Sequence, residues 1–151
     1  MKLLLPALIS SLLALSTSAR PTTSTANANG TTTLITFNTV YDDPSLSLNS
    51  VSCSNGENGL VTKGYASVAQ LPTAFVGGSP TIQGWNSTNC GACYALTYKN
   101  ATVYVLAIDT AINQFNVAKK ALDALTGGHA AEFGSVEGTF ELVAGEKCSL
   151  K

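Results

Sequence analysis

Asn89-Cys90-Gly91-Ala92-Cys93-Tyr94 places two cysteines three positions apart, and the other two, Cys53 and Cys148, lie far off on either side. An even set of four in an exported chain predicts two disulfides. Pairing Cys90 with Cys93 would make a redox-type loop, yet no basic neighbour stands there to stabilise a thiolate. The two remaining pairings each tie these adjacent anchors to distant parts of the chain. A zinc site would need a second Cys pair or two His, and His129 is the sole histidine. No metal or other cofactor is expected, and the cysteines read as structural staples.

The export reading comes from the first 19 residues. Lys2 supplies a positive start, Leu3 to Leu15 is apolar but for Pro6 and two serines, and Thr17-Ser18-Ala19 offers small residues for cleavage. The apolar run is shorter than the roughly 20 residues of a spanning helix, and residues 143–151 lack a lipid-anchor tail. Residues 1–19 are thus expected to be a signal peptide. Residues 20–33, rich in Ser, Thr and Asn, cannot bury enough apolar surface to offset ordering, so a disordered arm is expected there. Residues 34–151 suit one domain. That domain holds six Lys against all nine Asp and Glu, with no basic patch apart from Lys119-Lys120. Nucleic acid and membrane are therefore not expected partners. The hydroxyl- and amide-rich surface suits an uncharged, hydrogen-bonding ligand.

Moving outward from the cysteine pair, β-branched and aromatic runs predict strands at Leu34 to Tyr41, Val51 to Cys53, Tyr94 to Tyr98, Val103 to Ile108 and Gly138 to Val143. One stretch, Asn113 to Thr126, repeats Phe115, Ala118, Leu122 and Leu125 at helical spacing, with Asn113 as its cap and Gly127-Gly128 as its stop. A shorter helix is expected near Tyr65 to Leu71, ended by Pro72. Gly77-Gly78-Ser79-Pro80 reads as a turn. The sum is a mainly β domain with one or two helices, wrapped as a small barrel.

No nucleophilic triad can be assembled, and neither a phosphate loop nor a dinucleotide fingerprint occurs. Asp109 is the acid that stands out, because Val103 to Ile108 is the most apolar strand and Asp109 sits where it ends. Such a carboxylate can accept hydrogen bonds from sugar hydroxyls, act as a general acid, or simply bind backbone N–H groups in the turn. Glycoside hydrolysis would need a second carboxyl across the bond, and Asp42, Asp43 and Glu57 all lie in turn-like contexts. Trp85, between Gly84 and Asn86-Ser87-Thr88, is expected to be buried beside the disulfides rather than offered to a sugar. Asn29, Asn86 and Asn100 are N-glycosylation sequons.

Several motifs in order carry a family resemblance: Tyr41-Asp42 with Leu46-Ser47-Leu48, Cys53-Ser54-Asn55-Gly56 with Asn58-Gly59-Leu60, Gly77-Gly78 leading to Gly84-Trp85-Asn86-Ser87, Asn89-Cys90-Gly91-Ala92-Cys93, and Val105-Leu106-Ala107-Ile108-Asp109. Over Tyr41 to Leu150 the chain resembles the cerato-platanins, small secreted proteins of filamentous fungi. The resemblance implies a six-stranded double-psi β-barrel, similar to the first domain of expansins, with bridges Cys53–Cys90 and Cys93–Cys148. It also implies a secreted protein of the extracellular space and fungal cell wall that binds chitin or other N-acetylglucosamine oligomers in a shallow groove. Further implied are loosening of cellulose without hydrolysis and elicitation of plant defence; a plant surface receptor is expected as a partner, and a monomer as the state. Asp109 matches the acidic residue of expansin-like barrels, with Tyr41, Asp42, Asn58 and Asn116 as further groove residues. Tyr94 stands where Trp is common in the family, a change expected to bear on ligand affinity. The alternatives are a weak endoglucanase of the same barrel type and a surface-active, self-assembling coat protein.

Overall fold

The computed structural model describes residues 30–149; the expected signal peptide, most of the expected arm and Asn29 lie outside them. Among the described residues six strands close into a barrel: β1 Thr31–Phe37, β2 Val76–Ser79, β3 Cys93–Tyr98, β4 Ala101–Thr110, β5 Gln114–Val117 and β6 Ser135–Val143, in the order β1-β5-β2-β4-β3-β6. β1·β5 and β2·β4 run parallel, and the other four pairs run antiparallel. Two helices, α1 Lys119–Thr126 and α2 Ala130–Phe133, complete the domain, with α1 packed on β4. The disulfides are Cys53–Cys90 and Cys93–Cys148, closing 37- and 55-residue separations. Barrel, helices and bridges agree with the fold that the resemblance implied.

The barrel interior is built by alternation. β5 buries Phe115 and Val117 between half-exposed Gln114 and Asn116, and Ile35, Leu96 and Val105 are fully buried on neighbouring strands. Phe115 lies 5.3 Å from the Tyr94 ring and 5.0 Å from Phe140, in tilted, edge-directed contacts that suit aromatic quadrupoles. The Tyr94 hydroxyl reaches Thr81 Oγ1 at 2.6 Å. Tyr94 is therefore a core residue.

Four expectations are corrected. Gly77-Gly78-Ser79 is the end of buried strand β2, not a turn. A Cβ on Gly77 would stand 2.6 Å from the Asn116 carbonyl oxygen, so only glycine lets β5 approach this closely. Gln114 to Val117 is a strand, not the first turn of a helix: Phe115 and Val117 fit a period of two, although the spacing of Phe115 to Ala118 also fits a helix. Val51 to Cys53 joins no ladder, because the Ser52 and Cys53 amides donate to the Asp109 carboxylate and the Ile108 carbonyl. The segment near Tyr65 to Leu71 makes only a 3-10 turn, Val68–Gln70. In addition, β1 starts at Thr31, before the expected domain start at Leu34. Thr31, Thr32 and Thr33 pair with Phe140, Thr139 and Gly138 of β6, and branched threonine suits a strand.

α1 stops where expected, at Gly127 in the left-handed region (φ 68°), with Gly128 N–H donating to the Asp123 carbonyl at 2.8 Å. Its start is capped from outside. Asp42 accepts from Lys119 N–H at 2.7 Å and Lys120 N–H at 3.1 Å. Asn113, the expected cap, instead takes a left-handed conformation (φ 58°) in the turn before β5.

Candidate functional site

Asp109 is the next-to-last residue of β4 and is half-buried. Four donors converge on its carboxylate: Ser52 N–H at 2.9 Å, Ser52 Oγ at 2.7 Å and Thr110 N–H at 2.8 Å reach Oδ1, and the Tyr41 hydroxyl reaches Oδ2 at 3.0 Å. Thr110 Oγ1 in turn donates to Ser52 Oγ at 2.9 Å. The Ser52 segment is pinned by Cys53 N–H on the Ile108 carbonyl, 3.1 Å, and by the Cys53–Cys90 bridge.

Tyr41 is buried, on the 3-10 turn Thr39–Asp42 that follows β1. Its phenol is pushed well above the usual tyrosine range, first by burial and then by the negative charge of Asp109 beside it. The hydroxyl thus stays protonated and serves as a donor. Asp42, next in sequence, has its two oxygens committed to the start of α1. Asp43 is turned to its own loop, accepting from Ser45 N–H and Ser45 Oγ at 2.8 and 2.7 Å, contacts that lower its proton affinity.

Asn116 is tied to Asp109 through the sheet. It is in register with Gly78 of β2, and a register shift between Gly77 and Gly78 aligns Gly78 with Asp109. The Asn116 Oδ1 is buried without a hydrogen-bond partner among the described residues. Asn58 instead meets the segment around Trp85: its N–H donates to Asn86 Oδ1 at 2.9 Å, and its Nδ2 donates to the Asn86 carbonyl at 3.0 Å. The structure therefore brings Tyr41 to Asp109, sets Asn116 two strands away in the same row, and sends Asp42 and Asn58 to other tasks.

Ser52 and Thr110 were missed by sequence reasoning. Ser52 lies 57 residues from Asp109, and no local pattern signals their contact. Trp85 is corrected outright: it is 64% exposed, its indole N–H donating to Asn55 Oδ1 at 2.7 Å. The flanking Gly84 and Asn86 are loop-favouring residue types and were the signal in the sequence; both take positive φ. Of the other sequons, Asn100 is exposed in the turn between β3 and β4, while Asn86 is half-buried. His129 is exposed, paired with Glu132 at 2.8 Å. Among the described residues no cluster of His, Cys, Asp and Glu could hold a metal ion, and no helix is long and apolar enough to cross a membrane.

The family model for cerato-platanin matches residues 33–150. The chain belongs to the cerato-platanin family. It is 46% identical over 136 residues to the heat-stable 19 kDa antigen of Coccidioides posadasii, covering 89% of this chain and 88% of that protein. The crystal structure of cerato-platanin 3 from M. perniciosa superposes with a TM-score of 0.77 at 39% identity, covering 80% of this chain and all of that one. The solution structure of the fungal elicitor cerato-platanin gives a TM-score of 0.67 at 32% identity, with 76% and 95% covered.

Proposed function

We propose that this cerato-platanin is a secreted, non-catalytic carbohydrate-binding protein of the extracellular space and fungal cell wall. Its ligands are chitin-type oligosaccharides, with cellulose as a second wall polymer that it loosens without cutting. Plants perceive it as an elicitor, as the solved relative of that description is named. The signal-like residues 1–19 and the two disulfides support export.

One observation carries the binding part: every hydrogen-bond partner of Asp109 is a hydroxyl or a backbone amide. Oδ1 receives two N–H groups and a hydroxyl, so it acts as an acceptor. Two acids that could serve as a second carboxyl are engaged elsewhere, Asp42 at the start of α1 and Asp43 with Ser45. What this arrangement offers is a fixed acceptor at a barrel rim, suited to a sugar hydroxyl.

Titration of the purified protein with N-acetylglucosamine oligomers, followed by amide NMR, should shift signals of Tyr41, Ser52, Asp109 and Thr110. Unmoved signals there would count against the site. Reducing ends released from soluble cellulose, and lost in Asp109→Asn, would replace this reading with the endoglucanase one.

A further inference from the structure

Trp85 is the only tryptophan of the chain, and the fold leaves it in water. An indole is among the largest apolar groups available for a core, so an exposed and fixed one calls for a ligand. We infer that Trp85 is a stacking platform for a pyranose ring, which extends the Asp109 site into a track for a linear oligosaccharide. This inference rests on the carbohydrate-binding reading above.

The ring is held by its own N–H and through its chain neighbour Asn86. Its N–H is held by Asn55 Oδ1 at 2.7 Å. The next residue, Asn86, is gripped twice by Asn58. Gly56 completes the clamp: at φ 87°, a Cβ there would come within 2.7 Å of Asn86 Oδ1. Asn55 and Trp85 lie on the two segments that the Cys53–Cys90 bridge joins. A ligand therefore meets an aromatic face whose orientation is already set, which reduces the ordering cost of binding.

The chemistry of the ligand follows from what is left free. The indole N–H is used within the protein, so the ring offers its π-face rather than a donor. Such a face takes the C–H-rich side of a sugar ring.

Position joins this platform to Asp109. Asn55 is three residues from Ser52, at most about 10 Å of chain, and Ser52 bonds Asp109 directly. A surface depression of about 220 Å³ has Pro80, Gln83, Thr110, Ile112 and Asn113 in its lining. Thr110 adjoins Asp109, and Gln83 is two residues from Trp85. Ile112 is 81% exposed, so in this lining apolar surface is interspersed with the amides of Gln83 and Asn113 and the hydroxyl of Thr110. That mixture matches a neutral polysaccharide chain, whose rings are apolar on their faces and polar at their edges. Monosaccharides can occupy only one end of the track, whereas oligomers engage both.

The single tryptophan is its own reporter. Emission excited selectively at the indole should shift and quench when chitohexaose or cellohexaose is added, and far less with N-acetylglucosamine alone. Both hexamers serve because stacking does not read the 2-acetamido group. By calorimetry Trp85→Ala should weaken hexamer binding roughly fivefold to tenfold, with Trp85→Phe close to wild type. Retained thermal unfolding would show that the fold is intact. Hexamer heat with unchanged emission and unchanged Trp85→Ala affinity would overturn the platform and leave the carbohydrate reading standing. Absence of heat from both hexamers with wild-type protein would overturn the carbohydrate reading itself. An emission shift that grows with protein concentration alone would assign Trp85 to contact between copies, and would overturn the platform too.

Discussion

Between Tyr41 and Asp109 a buried phenol faces a carboxylate, and the pair answers to alkali. Below about pH 10 the phenol is protonated in both folded and unfolded chains, so its contact contributes fully. Above that pH the unfolded chain loses the proton first, and stability falls with rising pH until the folded hydroxyl ionises as well. Tyr41→Phe should cost roughly 1–2 kcal/mol near neutral pH, since Asp109 Oδ2 loses its donor. The variant should also lose part of the decline above about pH 10, and urea unfolding at successive pH values measures both effects. A parallel decline in the two proteins would refute the assignment. Asp109 was legible in the sequence because it ends the most apolar strand. Ser52 was not, because its contact arises only when the Cys53 segment folds back on β4, and nothing near Ser52 records that return.

At the scale of elements, α1 depends on a residue far from it in sequence. The Asp42 carboxylate satisfies two amides that no earlier turn of helix can reach, and it complements the positive end of the helix dipole. Asp42→Ala should lower stability by about 1–2 kcal/mol and speed hydrogen exchange at the Lys119 and Lys120 amides, whereas Asp42→Asn should retain part of the cap. Unchanged exchange at both amides would argue against the cap. Strands β3, β4 and β6 could be read from their β-branched runs. β2 could not, since Val76-Gly77-Gly78-Ser79 carries turn residues; its glycines serve close strand approach, a demand that only the partner β5 reveals. β5 itself was absorbed into the helix that follows, because four residues are too few for a period of two to outweigh one of 3.6. Trp85 was misjudged for a similar reason: average burial favours a core role, while the Asn55 contact that holds it outside spans 30 residues.

For the molecule as a whole, two bridges meet at β3 and its approach, Cys90 just before it and Cys93 at its start. Closing separations of 37 and 55 residues contributes roughly 4 kcal/mol each by chain-entropy reasoning. That is comparable to the net stability of many domains. Cys93→Ser with Cys148→Ser should lower the denaturant midpoint substantially and steepen the transition, because the unfolded chain then exposes more surface, and full reduction should lower the midpoint further. A midpoint unmoved by reduction would mean that the barrel core holds the fold unaided.

β1 and β6, drawn from opposite ends of the described chain, lie side by side in the finished barrel. A ribosome delivers them at widely separated moments. Until β6 arrives, β1 and β3 each present a bare row of amides and carbonyls, so a partly synthesised chain has open edges that the complete one lacks. Assembly must therefore wait for β6, the last strand among the described residues, a timing that leaves the polypeptide threadable until almost all of it has been made.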